Sequence, residues 1–335
     1  MISFELSEEQ KAVESMVRDW AAREVAPKIH DLDREHRFDP GFLTGLAGLH
    51  VLGICIPEEY GGAGMDYLSL GLACEELEYV DTHLRVLMSV HVGLNSMTLL
   101  SWGTEDQKRR YLVPQARGEK VASYGLTEPN AGSDAVGIQT TAVKKGDRYL
   151  LNGEKTWISL ADVADNFLVI AWTDLEKKKN RDHSGLSAFI VERGFKGFAS
   201  YTIKEKWGIL AGNTGGFSLQ DVEVPAENLV GKEGEGFKIA MFALEGGRYT
   251  VAAGATGLIR ACLDASVKYA KERQTFGKPI GDHQLVKEMI AQMVSDYDAS
   301  RLLWLRAGWL KNEGRRNTRE TSLAKWYATV ASERA

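Results

Sequence analysis

The chain has 335 residues, 44% hydrophobic and 26% charged, a balance expected of a soluble globular protein with room for two or three domains. Its formal net charge of -5 argues against a general nucleic-acid binder, which needs a basic face. The start MISFELSEEQ has no basic stretch and no apolar run, so no signal peptide is expected, and the apolar stretch 83–100 is a poor membrane span because His83, Arg85, His91 and Asn95 break it.

Residues 1–119 read as helices. Ser7 with Gln10 makes a capping box, after which Val13, Met16, Val17, Trp20 and Ala21 follow a helical period. Two apolar helices, roughly 66–80 and 82–101, follow the glycine-rich turn Gly61–Gly64, and Thr104 with Gln107 repeats the capping signature. Near residue 120 the texture changes to short strand-like runs. Arg148–Leu151 and Glu154–Ser159 flank Asn152-Gly153, a hairpin signal, and further runs lie at Phe167–Trp172, Ser187–Val191 and Phe217–Val224. Glu176–Asn180 reads as a solvated charged loop. After Gly236 the helical period returns, with Ala253, Gly257, Ala261 and Ala265 on one stripe that allows close helix packing. The expected class is α+β: an N-terminal helical domain at 1–119, a middle antiparallel β domain at 120–232, and a C-terminal helical bundle at 233–335. The last helix has no stop signal, and Trp326, Tyr327 and Val330 need something to pack on, so the bundle reads as incomplete.

Cys55, Cys74 and Cys262 lie far apart and form no metal spacing, which suggests a reducing cytoplasm with the three as small core residues. No histidine falls in an HExxH frame, and no metal site is expected. Neither GxGxxG after a strand nor GxxxxGK[ST] occurs, so any nucleotide cofactor must be bound another way.

The most specific stretch is Tyr124–Asp134, YGLTEPNAGSD. Its chemistry is a tight turn with hydroxyls and backbone amides, suited to a polar ligand or to capping the β domain; local physics alone favours the cap. Other motifs accompany it: Trp157-Ile158-Ser159 after the strand signal, Arg273-Gln274-Thr275-Phe276-Gly277 with His283-Gln284 ten residues on, and Arg248 after Leu244-Glu-Gly-Gly. Together, in this order and across the whole chain, they resemble the flavin-dependent acyl-CoA dehydrogenases.

That resemblance implies FAD as cofactor and α,β-dehydrogenation of an acyl-CoA thioester to the 2-enoyl-CoA. The backbone and hydroxyls of Tyr124, Gly125, Leu126 and Thr127 would face the flavin. Ser133 would sit where the CoA arm and the cofactor meet. Trp157 would cover the flavin, Ile158 would belong to the same cofactor-binding stretch, and Ser159, where the family usually has threonine, would offer the flavin a hydroxyl. Arg273, Gln274, Thr275 and Phe276, with His283 and Gln284, would hold the FAD of a neighbouring subunit, implying a homo-oligomer, in this family usually a tetramer. Arg248 would open the helix that lines the acyl pocket. Electrons would pass to an electron-transfer flavoprotein, with no nucleic-acid or membrane partner.

The resemblance is incomplete at the catalytic base. Most of the family carries a glutamate in a Tyr-Glu-Gly-Thr-like segment near the C-terminus, which would lie beyond Ala335, and the chain therefore reads as truncated. A minority places the base immediately before the helix-opening arginine, a position occupied here by Gly247; Glu245, three residues before Arg248, suits an ion pair or a cap better.

Arg85 decides the acyl group. It sits among Leu84, Val86, Leu87, Met88 and Val90 and must meet an anion. The local candidate is Asp81, four residues back on the same helix. The stretch Glu78–Ser89 resembles the glutaryl-CoA dehydrogenase branch, in which an arginine at this place, with Glu78 and Ser89 assisting, would bind the far carboxylate of glutaryl-CoA or of a relative such as benzylsuccinyl-CoA. The alternatives are a short- or medium-chain monocarboxyl acyl-CoA dehydrogenase and a flavin-free binding paralogue.

Overall fold

The computed structural model describes residues 5–335. In chain order the helices α1 (Glu8–Trp20), α2 (Ala26–Arg34), α3 (Gly41–Gly48), α4 (Tyr67–Val80), α5 (Thr82–Met88), α6 (Met97–Trp102), α7 (Glu105–Gln107) and α8 (Val113–Ala116) come first. Strands β1 (Ala122–Gly125), β2 (Thr141–Lys145), β3 (Arg148–Ser159) and β4 (Asn166–Trp172) follow, then the short α9 (Leu175–Lys179). After them come β5 (Leu186–Glu192), β6 (Phe198–Thr202), β7 (Thr214–Pro225) and β8 (Leu229–Val230). The chain closes with α10 (Gly236–Glu272), the small hairpin β9 (Gln274–Thr275) and β10 (Lys278–Pro279), α11 (Gln284–Asn312) and α12 (Thr318–Arg334). Both predicted capping boxes form: Ser7 Oγ accepts the Gln10 amide and Thr104 Oγ1 accepts the Gln107 amide, each at 3.2 Å, with the glutamine side chain returning the bond.

Contacts divide the chain into two compact units, the first of residues 1–29, 66–85 and 248–335, the second of residues 30–65 and 86–247. The first is helical. Val13 and Val17 of α1, Leu70, Leu72 and Leu77 of α4, Tyr249, Ala252 and Ile259 of α10, and Trp304 of α11 are buried in it. Gly71 is required there, because a Cβ would lie 2.6 Å from the Tyr249 hydroxyl. The same unit buries Glu75 and Glu76 of α4 against Arg301 (2.5 Å) and Arg260 (2.6 Å). On the small-residue stripe of α10, Ala253 and Gly257 are buried, Ala261 is half-buried and Ala265 is exposed, so the seam closes only over its first half.

The second unit is built on a sheet of order β6-β7-β3-β2-β4-β5-β8, with β1 added beside β4. The expectation of a purely antiparallel domain is corrected: β1 and β2 each pair with β4 in parallel. β3 returns the chain to the end where β2 began, and β4 sets out from there on β2's other side. The hairpin expected at Asn152-Gly153 is corrected too. Those residues lie inside the continuous β3, Asn152 opposite Thr141, and the β2–β3 turn is at Gly146-Asp147. Glycine is needed at 153 for a bulge and a close approach, since a Cβ would overlap Thr140. The expected loop Glu176–Asn180 is largely helical, as α9, because the Asp174 carboxylate caps it through the amides of Glu176 and Lys177 at 3.0 Å.

Among the described residues no helix is long and apolar enough to cross a membrane, and no group of three His, Cys, Asp or Glu is placed to hold a metal ion. Cys55, Cys74 and Cys262 form no disulfide among the described residues; Cys74 is buried and the other two are half-buried.

Candidate active site

In the second unit β1 delivers the chain into Leu126–Asp134, and this segment is braced from beneath. Lys155 is wholly buried, its ammonium donating to the Leu126 carbonyl (3.0 Å) and to Glu128 Oε1 (2.8 Å). Glu128 in turn accepts the Thr140 amide (3.0 Å), the Thr140 hydroxyl and the Gln139 amide (2.5 Å). Burial pulls the Lys155 ammonium down to about 8 against the opposing pull of Glu128. Burial also works against the Glu128 charge, but Lys155, Thr140 and the Gln139 amide outweigh it and hold the carboxyl below the usual range. Both groups are therefore charged at neutral pH. The Thr156 amide also donates to the Thr127 carbonyl (3.0 Å), and the Ser123 hydroxyl to the Ser159 carbonyl (2.7 Å), so β3 is tied both to β1 and to the start of the segment.

A π-helical turn, Ser89–Ser96, supports β1 from behind. His91 Nδ1 accepts the Ala122 amide (3.0 Å), which leaves Nε2–H to donate to the Gln115 carbonyl (3.1 Å). Burial lowers this imidazole to about 4, so it is neutral near pH 7. Asn95 Nδ2 donates to the Ser123 carbonyl at 2.7 Å. Sequence reasoning used His91 and Asn95 only as interruptions of an apolar run, although two polar residues four apart on a buried helix already ask for partners.

On this frame the expected site residues take definite positions. Tyr124 and Gly125 are buried, and the Tyr124 hydroxyl is a buried polar group with no hydrogen-bond partner among the described residues. Burial pushes that phenol strongly upward. Gly125 has no room for a side chain, because a Cβ would lie 2.7 Å from Phe217. Leu126 is buried, Thr127 half-buried and Ser133 exposed. Trp157 stands on a second bulge of β3 with φ +56° and is 62% exposed, while Ile158 is buried and Ser159 half-buried. A buried hydroxyl in want of a partner and an exposed indole, both in the second unit, are groups that a flat aromatic ligand with polar edges can use.

In the first unit Arg85 finds its partner. Its Nε donates to Glu78 Oε2 (2.5 Å) and its Nη2 to Glu78 Oε1 (3.3 Å), both side chains being buried. The local candidate Asp81 is corrected: it is taken by His83, through the ring Nδ1 (2.5 Å) and the backbone amide (2.7 Å). Asp81 lies at the C-terminal cap of α4, in extended conformation, so the helical four-residue spacing assumed for Asp81 and Arg85 does not exist. Ser89, assigned to assist Arg85, is buried in the second unit at the start of the π turn. Arg248 is half-buried on α10. The hairpin after α10 brings Thr275, Phe276 and His283 together: Thr275 Oγ1 bonds His283 Nε2 (2.9 Å), and Phe276 meets the imidazole edge to face at 6.0 Å. Arg273, Gln274 and Gln284 are exposed around them, and Phe276 is 95% exposed with φ +51°. Glu245 is half-buried on α10.

Residues 7–119, 123–222 and 234–335 match the N-terminal, middle and C-terminal domains of acyl-CoA dehydrogenase respectively. The short-chain specific acyl-CoA dehydrogenase of Clostridium acetobutylicum is 41% identical over 98% of this chain and 85% of its own. The glutaryl-CoA dehydrogenase of Desulfococcus multivorans is 40% identical over the same shares, 98% and 85%. The solved structure of butyryl-CoA dehydrogenase from Megasphaera elsdenii superposes with a TM-score of 0.95 at 39% identity, over 98% of this chain and 86% of that one.

Proposed function

The chain belongs to the acyl-CoA dehydrogenase family, and from that premise we propose that it oxidises a carboxylate-bearing acyl-CoA of the glutaryl-CoA type. FAD, the cofactor of this family, supplies the hydride acceptor when bound. Tyr124, Gly125, Leu126 and Thr127 are assigned to the flavin ring and its side chain, Trp157 to covering it, Ile158 to the same cofactor-binding stretch, and Ser159 to the flavin's polar edge. The unpartnered Tyr124 hydroxyl and the exposed Trp157 support this assignment. Ser133 is assigned to the CoA arm and Arg248 to the acyl pocket. Arg273, Gln274, Thr275, Phe276, His283 and Gln284 are assigned to the FAD of a neighbouring subunit in a homotetramer, in line with the exposure of Arg273, Gln274, Phe276 and Gln284. An electron-transfer flavoprotein is the assigned electron acceptor. Removal of the α-proton is assigned to no residue up to Ala335.

One observation carries the choice of acyl group: a buried guanidinium, held in place by Glu78, within a segment otherwise apolar. A planar guanidinium recognises carboxylates two bonds at a time. The same pair favours a second reading. Glu78 already neutralises Arg85, so the arginine has a structural reason to be present, and the substrate would then be a short monocarboxyl acyl-CoA. Bleaching of the flavin separates the two. Glutaryl-CoA is expected to reduce the protein faster than butyryl-CoA, and Arg85→Gln to abolish that order. A wild-type protein that prefers butyryl-CoA sinks the dicarboxyl reading.

A further inference from the structure

Gly254 of α10 is buried, and the space its missing side chain leaves is taken by the Glu78–Arg85 pair. A Cβ built on Gly254 would overlap Glu78 Oε2 and lie 2.7 Å from Arg85 Cγ and 2.9 Å from Arg85 Cδ. These are well inside the roughly 3.5–4.0 Å at which nonbonded carbon atoms pack best. The pair is thus clamped: Glu78 is fixed on α4, Arg85 on α5, and both side chains rest on the bare backbone of α10.

We propose that Gly254 is a specificity-determining position: its missing side chain is the slot that seats Glu78 and fixes where the Arg85 guanidinium meets the distal carboxylate of the acyl chain. The inference rests on the dicarboxyl reading of the substrate and adds a residue to it. Gly254 touches neither reacting atom nor cofactor in this assignment; it positions Arg85 through Glu78.

The geometry separates this role from ordinary helix packing. The groups a methyl would strike are the end of one flexible side chain and the stem of another, not backbone. Gly257, one turn on, differs: its Cβ would strike the Glu75 carbonyl and the α4 main chain, which cannot step aside. Alanine also favours a helix more than glycine does, by about 1 kcal/mol. Gly254→Ala should therefore fold, with Glu78 and Arg85 pushed off their seats.

The test measures kcat and KM of FAD-loaded wild type and Gly254→Ala with glutaryl-CoA and with butyryl-CoA. The ratio of kcat/KM for glutaryl-CoA over butyryl-CoA is expected to fall about tenfold or more, chiefly through the KM for glutaryl-CoA, as loss of a binding contact requires. If Gly254→Ala gives no soluble protein, Glu78→Asp/Gly254→Ala removes the carboxylate overlap and is read the same way, since Arg85 is still displaced. A wild-type preference retained in the variant overturns the role of Gly254 and leaves the dicarboxyl reading standing. A wild type with no preference for glutaryl-CoA overturns that reading, and the role of Gly254 with it.

Discussion

Each compact unit contains a buried cation–glutamate pair, Lys155–Glu128 in the second and Arg85–Glu78 in the first, and the two pairs are built differently. Lys155–Glu128 is anchored in main chain: the ammonium holds a carbonyl of the Leu126–Asp134 segment, and the carboxylate holds the amides of Gln139 and Thr140. Arg85–Glu78 joins two helices by side chains at a site with no methyl behind it. A point charge on a flexible stem suits the first task, where one ammonium must satisfy a carbonyl and a carboxylate together. A planar fork suits the second, where one carboxylate accepts two of its donors. The lysine pair thus reads as a strut, and the proposal above makes the arginine pair a presenter.

The largest expected effect tests the strut. Lys155→Met strands the Glu128 charge in a dry interior, and the loss should be about 3–5 kcal/mol. Urea denaturation at pH 7 measures it. Lys155→Met/Glu128→Gln should recover a good part of that loss, because it removes the stranded charge. A single variant as stable as the parent breaks the comparison at its strongest point.

The next effect is a pH dependence within the strut's own unit. The folded His91 titrates at about 4, below its ordinary 6.5, so only the unfolded chain takes up a proton between those values. Stability of this unit is therefore highest above pH 6.5 and falls as pH drops through 4. The loss through this residue is about 3 kcal/mol at 1.36 kcal/mol per pH unit. Denaturation midpoints of the parent and of His91→Gln at pH 7 and pH 4.5 check it: the parent's acid loss should shrink in the variant. An equal loss in both would show that the folded His91 does not stay neutral while the unfolded one takes up its proton.

The presenter is tested by Arg85→Lys, which keeps the charge and removes the fork. The kcat/KM for glutaryl-CoA should fall about tenfold, near 1.4 kcal/mol, with a much smaller change in denaturation midpoint than Lys155→Met gives. If the ammonium serves as well as the guanidinium, charge alone matters and the geometric distinction between the pairs fails.

How far these features could be read from sequence follows from the range of the forces involved. Capping boxes at Ser7 and Thr104 were legible because a cap is closed within four residues. The helix–β–helix order was legible because periodicity is local as well. Asn152-Gly153 was misread, because a glycine that admits Thr140 from a neighbouring strand looks identical to a glycine at a turn. Asp81 was weighed as the local partner of Arg85 on a helical spacing that does not exist, because the helix breaks between them and Glu78 is the residue that pairs with Arg85. Lys155 went unnoticed, yet it falls in phase with the inward Tyr149 and Leu151 of β3, an alternation visible in the sequence. The partner that makes an inward lysine tolerable, Glu128, lies 27 residues away, and no local pattern announces it.

The smallest effect compares the two capping boxes, one in each unit. Ser7 is an exposed cap, and its partner Gln10 also reaches Asp66 at 2.8 Å. Thr104 caps α7, and its partner Gln107 is buried and donates to the carbonyls of Glu227 (2.7 Å) and Leu229 (2.8 Å). Removing either hydroxyl deletes one acceptor, at about 0.5–2 kcal/mol. Thr104→Ala should cost the larger part of that range, about 1 kcal/mol or more, because the Gln107 amide it leaves is screened from water. Ser7→Ala should cost about 0.5 kcal/mol, since water replaces the lost oxygen. Denaturation midpoints of the two variants give the order directly. If Ser7→Ala proves the more costly, burial of the capping glutamine is not what separates the two units at their helix ends.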